Sequence, residues 1–204
     1  MNPLSPLIRI VDDEPATRIA LDRLLRAAGH HTAIFESAQD FLAADVASKP
    51  GCLVLDIHMP AMSGFELHRL LSRTDSPLPV VFLTCHGTIP LSVEAMKAGA
   101  VDFLTKPVEK SDLLRAIDQA VERDRAGRAE RSEMTTLQER LGRLTPRERE
   151  VLQRVVAGHL NKQIAGDLGT SEQNIKFHRG HVMSKMEAGS LADLVRMASR
   201  LGIG

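Results

Sequence analysis

With 204 residues, 43% of them hydrophobic and no Trp or Tyr, the chain can bury one large or two small cores built mainly from aliphatic side chains. No apolar run approaches the ~20 residues that cross a bilayer, and no basic segment followed by an apolar stretch opens the chain, so a membrane or secreted protein is not expected and the cytoplasm is. The formal charge of zero conceals an asymmetry: residues 1–124 carry 12 Lys and Arg against 17 Asp and Glu, residues 125–204 carry 14 against 9, and only the second half suits a polyanion.

The first half alternates strand-like and helix-like segments. Leu7–Val11, Thr32–Phe35, Cys52–Leu55, Val80–Leu83 and Val101–Leu104 are short apolar runs. Between them, Pro15–Ala28 carries Ile19, Ala20, Leu24 and Ala27 at helical spacing and stops at Gly29. Gly64–Ser72 and Leu91–Ala98 behave similarly, the latter closed by Gly99. Five strands alternating with five helices predict an α/β fold, a doubly wound parallel sheet covered on both faces. Ser111–Arg125 completes it, with Leu114, Ile117 and Val121 on one stripe. Cys52 and Cys85 lie in apolar segments with no ligand partner at metal spacing, and are read as buried, reduced thiols.

The second half loses the strands. Residues 124–133 are almost wholly charged or small and read as a linker that continues the preceding helix. Met134, Leu137, Leu141 and Leu144 then recur at three- and four-residue steps, the pattern of a helical seam that could pair with a second copy. Four further helices follow: Pro146–Gly158, Asn161–Leu168, Ser171–Met186 and Leu191–Leu201.

In an open parallel sheet ligands bind outside the carboxyl ends of the strands. The polar residues at those ends are Asp12 and Asp13, Asp56, Thr84, and Lys106 followed by Pro107. Gathered carboxylates repel one another and suit a hard cation such as Mg2+ or Mn2+. A hydroxyl and an ammonium at the same mouth supply what phosphoryl oxygens need. The set reads as metal-assisted phosphoryl transfer with a carboxylate nucleophile. An aspartate-nucleophile phosphatase would place a second acid two residues after the nucleophile, but Asp56 is followed by Ile57 and His58.

The motifs IVDDE, LVLDIHMP with MSG after it, FLTCHG and AVDFLTKP resemble those of receiver domains of two-component response regulators, from about Leu7 to Val121. The resemblance implies a flavodoxin-like five-stranded sheet with Asp56 as phosphoacceptor. It makes Asp13 a direct metal ligand, Asp12 a ligand nearby or through water, and the His58 carbonyl the last protein ligand. Thr84 would hydrogen-bond the phosphoryl group, Lys106 would ion-pair with it, and Phe103 would be the aromatic that reports the state. The peptide before Pro107 is expected to be cis.

In the second half, Thr145, Pro146 and Glu148 form a capping-box signature, Gly169 supplies a turn, and Thr170 or Ser171 caps the helix that follows. Leu160, Ile164, Leu168, Ile175, Val182 and Met186 are the expected core of a helix-turn-helix. The stretch resembles LuxR-type output domains and, with the receiver, the NarL/FixJ group on its FixJ-like branch. By that resemblance the third helix enters the major groove of double-stranded DNA. Lys176 and Phe177 would reach bases; Asn161, Lys162, Arg179 and Lys185 would meet phosphates; Thr170, Ser171, Gln173 and Asn174 complete the expected contacts. Gly180 and Glu187-Ala188-Gly189 depart from the group's usual residues there. The expected domains are a receiver over 1–123, a helical linker over 124–143 and an all-α four-helix output domain over 144–204. The expected function is a phosphorylation-dependent transcription regulator, not an enzyme beyond its own phosphorylation and dephosphorylation. Its implied partners are a sensor histidine kinase, DNA, a second copy of itself on phosphorylation, and RNA polymerase.

Overall fold

The computed structural model describes residues 5–44, 49–73, 78–85 and 87–204, so His86 of the FLTCHG motif lies outside the described residues. The chain divides into two compact units, Met1–Arg128 and Ala129–Gly204.

In the first unit β1 (Leu7–Val11), β2 (His31–Phe35), β3 (Gly51–Asp56), β4 (Val80–Thr84) and β5 (Asp102–Thr105) form one parallel sheet in the order β2-β1-β3-β4-β5. The helices between them are α1 (Pro15–Ala27), α2 (Ala38–Ala43), α3 (Gly64–Leu71) and α4 (Ile89–Lys97), and α5 (Lys110–Gly142) follows β5. Side chains alternate across the sheet, as a period of two requires. Leu53, Leu55, Val80 and Phe82 pack with Phe41 of α2, Leu67 of α3 and Ala95 of α4. Ile8, Ile10, Cys52, Val54, Val81 and Leu83 pack with Leu21 and Leu25 of α1 and with Leu113, Ala116, Ile117 and Ala120 of α5. Every residue of the central strand β3 is buried, which makes it a fixed mount for whatever stands at its carboxyl end.

Several expectations shift. The buried stripe of α1 is Leu21 and Leu25, while Ile19, Ala20 and Ala27 are exposed. Helix α4 starts two residues earlier than the apolar pattern does, because Thr88 caps it and Pro90 fits its first turn, where no intrahelical donor is needed. The charged stretch 124–133, by contrast, is helical as expected, and α5 runs unbroken for 33 residues.

In the second unit the last turns of α5 are followed by α6 (Pro146–Val156), α7 (Asn161–Asp167), α8 (Glu172–Met186) and α9 (Leu191–Arg200). Thr145 and Glu148 form the reciprocal capping box that starts α6. Ser171 accepts from Asn174 N to start α8, after a turn made by Gly169 at φ 62°. The core gathers Leu144, Val151, Leu152, Val155, Ile164, Ala165, Ile175, Val182, Met186, Leu194 and Ala198. Leu160, expected in this core, is exposed. Leu137 is buried and Leu141 packs against the output core, so much of the expected pairing seam is covered within the chain.

Candidate functional site

Strand register brings the first cluster together. Val11 pairs with Leu55 and Asp56 with Leu83, so the residues after β1 and at the ends of β3 and β4 share one rim of the sheet. Asp12 and Asp56 are buried and Asp13 is exposed; one carboxylate oxygen from each lies within 4.8 Å of the others. Lys106, the residue after β5, reaches into the same cluster, with Nζ 2.6 Å from Asp12 Oδ2 and 3.1 Å from Asp56 Oδ1. Its peptide to Pro107 is cis, as expected, and its backbone N–H donates to the Thr84 carbonyl at 2.8 Å.

The electrostatics follow from burial. Desolvation pushes the Asp56 carboxyl above its ordinary value, helped by Asp12 and Asp13, and Lys106 opposes it only in part. Burial pulls the Lys106 ammonium down, but its hydrogen bond to Asp12 and the charge of Asp56 outweigh that, and the net shift is upward. Three carboxylates facing one ammonium leave net negative charge at this rim, which is the condition for holding a hard divalent cation through oxygen ligands. The donor set therefore fits Mg2+ or Mn2+.

The loop after β3 is built around glycine. A Cβ on Gly64 would stand 2.2 Å from the Asp56 carbonyl oxygen, so only glycine lets the start of α3 approach the acidic residue this closely. The Gly64 N–H donates to Ile57 O at 3.0 Å and closes the turn that carries His58. Thr84 Oγ1 stands 3.3 Å from His58 Nδ1. Phe103 is half-buried and packs on the core beside Phe82. Cys85 is exposed, contrary to expectation, because β4 ends at Thr84 and leaves it outside the sheet. Cys52 is fully buried, and desolvation pushes its thiol up to about 12.

The second candidate surface is the first half of α8. Gln173, Asn174, Lys176 and Phe177 are exposed, and Phe177 keeps 59% of its surface in water. A large ring left this open is not held there by packing in the core. It rests on His181, with ring centroids 4.1 Å apart. Asn174 Nδ2 donates to Thr170 Oγ1 at 2.9 Å, and Arg179 donates to Asn161 Oδ1 at 2.8 Å. Lys162 is exposed at the start of α7. Lys185 is differently placed: its ammonium donates to both oxygens of the buried Glu148, at 2.7 and 2.9 Å. Sequence reasoning saw Glu148 only as a cap; nothing local announces a partner 37 residues away.

Residues 8–118 match the family of response regulator receiver domains, and residues 142–198 match that of bacterial regulatory proteins of the luxR family. Nodulation protein W of Bradyrhizobium diazoefficiens is 42% identical over 197 residues, covering 97% of this chain and 87% of that protein. The transcriptional regulatory protein FixJ of Rhizobium meliloti is 44% identical over 197 residues, covering 97% of each. Among solved structures, the response regulator StyR superposes with a TM-score of 0.87 at 43% identity, covering 96% of this chain and 99% of that one.

Proposed function

The chain belongs to the response regulators with an N-terminal receiver domain and a C-terminal LuxR-family output domain, and from that premise we propose that Asp56 accepts the phosphoryl group. As a family member it is a phosphorylation-dependent, DNA-binding transcription regulator, not a classical enzyme; its receiver answers to a histidine kinase.

An Asp56 Oδ atom forms the bond to phosphorus while the bond from phosphorus to the donor imidazole nitrogen breaks; the imidazole leaves with the electron pair, and the product is an acyl phosphate. Lys106 supplies positive charge to the phosphoryl oxygens, and Thr84 donates a hydrogen bond to one of them. Asp12, Asp13, Asp56 and the His58 carbonyl would hold Mg2+ or Mn2+, which when bound supplies further charge neutralisation at those oxygens. The same groups serve the chain's own phosphorylation by small donors and the later hydrolysis. Thr84 and Phe103 then move towards the site and change the face of α4 and β5, where Ile89, Val93 and Met96 stand exposed, and two chains pair.

Pairing supplies affinity that one output domain lacks. From Thr145 to Gly204 the chain carries 9 Lys and Arg against 6 Asp and Glu, a modest charge for holding a polyanion. Two α8 helices can read half-sites about one helical turn apart. Lys176 and Phe177 then meet bases. Asn161, Lys162, Thr170, Ser171, Gln173, Asn174 and Arg179 complete the interface with DNA, whereas Lys185 is held by Glu148, and RNA polymerase is the onward partner. The cytoplasm is where kinase, DNA and polymerase meet. The observation that carries the proposal is the Lys106 ammonium shared by Asp12 and Asp56 beside Asp13. Footprinting tests it, using wild type and Asp56→Asn with and without a phosphoryl donor. Protection in the phosphorylated wild type alone is the expected outcome; equal protection in all four lanes would remove phosphorylation from the account.

A further inference from the structure

Helix α8 ends on Glu187, whose backbone is left-handed at φ 55°. That conformation closes many helices, but glycine is its usual occupant because a Cβ is strained there. The strain at Glu187 has a compensation in its side chain. Oε2 accepts from Arg140 Nη2 at 2.5 Å and Oε1 from Arg143 Nη1 at 3.4 Å, both arginines coming from the end of α5 or just beyond it. Arg140 Nη1 also donates to the Met186 carbonyl at 3.3 Å, satisfying one of the acceptors that a helix end leaves without an intrahelical donor. Glu133, on the same stretch of α5, pairs with Arg200 at the end of α9.

The last turns of α5 therefore close the C-terminal end of α8 and pair with the last residue of α9. Opposite charge at a helix C-terminus is favourable, so the guanidinium is suited to this end. An unneutralised carboxylate on a helix that approaches phosphates would repel them; here two arginines balance it. A helix of 15 residues is about 22 Å long. A tilt of about 5° at its far end moves its first residues by about 2 Å, more than a hydrogen bond to a base edge tolerates.

We infer that Arg140 and Glu187 are positioning residues for DNA readout: their clasp fixes the angle at which α8 presents Gln173, Asn174, Lys176 and Phe177. The inference rests on the proposed reading of α8 as the helix that enters DNA. It gives the departure at Glu187 a role, with the ion pair standing where a glycine alone would close the helix.

The test uses the full chain with a phosphoryl donor and two probes: a duplex enriched from a random-sequence pool by the wild type, and a scrambled duplex of equal composition. Arg140→Ala removes both its bond to Glu187 and its bond to the Met186 carbonyl, and should weaken the enriched duplex about tenfold and the scrambled one less than about threefold. Glu187→Gly should lose the same preference while its melting temperature holds or rises, because glycine relieves the left-handed strain. Removing the acid strengthens both duplexes alike through charge, so the ratio between them is the readout. The double variant Arg140→Ala with Glu187→Gly should lose no more preference than Arg140→Ala alone, as expected for coupled partners. An unchanged ratio in Glu187→Gly, or losses that simply add in the double variant, overturns the inference. A pool from which the wild type enriches no sequence instead overturns the reading of α8 on which it rests.

Discussion

Replacing Glu148 with Gln separates the two roles of this residue. Its carboxylate is buried and receives the Lys185 ammonium, the Thr145 backbone N–H at 2.8 Å and the edge of His181, whose Nδ1 is 3.4 Å away. Burial alone would raise the carboxyl. The hydrogen bonds and charge of Lys185 and the Thr145 N–H overcome it and hold the group at about 2, against an ordinary 4.5. A folded-state value below the unfolded one means that the unfolded chain binds more protons in acid. The contribution is therefore fully present above about pH 5 and is lost as pH falls through 4.5 towards 2. The gap is worth about 3 kcal/mol, a large fraction of the 5–15 kcal/mol that holds a typical domain. Gln keeps the cap to Thr145 and loses the charge. Urea unfolding followed through the methyl resonance of the buried Met186 should find the variant weaker by about 2–3 kcal/mol at neutral pH. The gap should then close as the pH is lowered towards 2. A difference of constant size across that range, or none at pH 7, would refute the reasoning.

Gly64→Ala should destabilise the first unit by about 1–3 kcal/mol or more and slow phosphorylation, because the added Cβ meets the Asp56 carbonyl oxygen at 2.2 Å; thermal melting and phosphoryl uptake check it. Phe177→Ala should leave stability within about 0.5 kcal/mol, given how exposed the ring is, yet weaken binding to the enriched duplex by about 1–3 kcal/mol, measured by titration. Iodoacetamide at pH 8 should alkylate the exposed Cys85 and leave Cys52 unmodified in the folded chain, since Cys52 is inaccessible and its thiol is pushed up to about 12; peptide mass mapping checks it.

Much of this was legible because strand ends announce themselves. A β-branched apolar run that stops at a carboxylate or hydroxyl marks both the strand and its functional rim, and Asp12, Asp13, Asp56 and Lys106 gather where that logic puts them. What was not legible depends on partners remote in sequence. Two apolar stripes compete on α1, and the sheet selects Leu21 and Leu25 over Ile19 and Ala27, which no local spacing decides. The helical continuation through 124–133 was readable, but not that Asp124, which pairs with Arg128 one turn on, also receives the Gly51 N–H at 2.8 Å. Arg9, alone in an apolar strand, is fully buried because its guanidinium reaches the carbonyls of Leu7 and Lys49. The same holds in the output domain. Residues 140 and 187, or 148 and 185, carry no mutual signal in one sequence, whereas Thr145, Pro146, Gly169 and Ser171 act within a turn of themselves and were readable.

The account stands most directly on where the phosphoryl group goes. Borohydride reduces an aspartyl phosphate to homoserine, so treating the chain with a small phosphoryl donor and magnesium, then borohydride, and mapping the peptides by mass locates the acceptor. Homoserine at position 56 alone, absent when the metal is chelated and absent from Asp56→Asn, is the predicted result. Homoserine at any other aspartate in the wild type, or none anywhere, would contradict it.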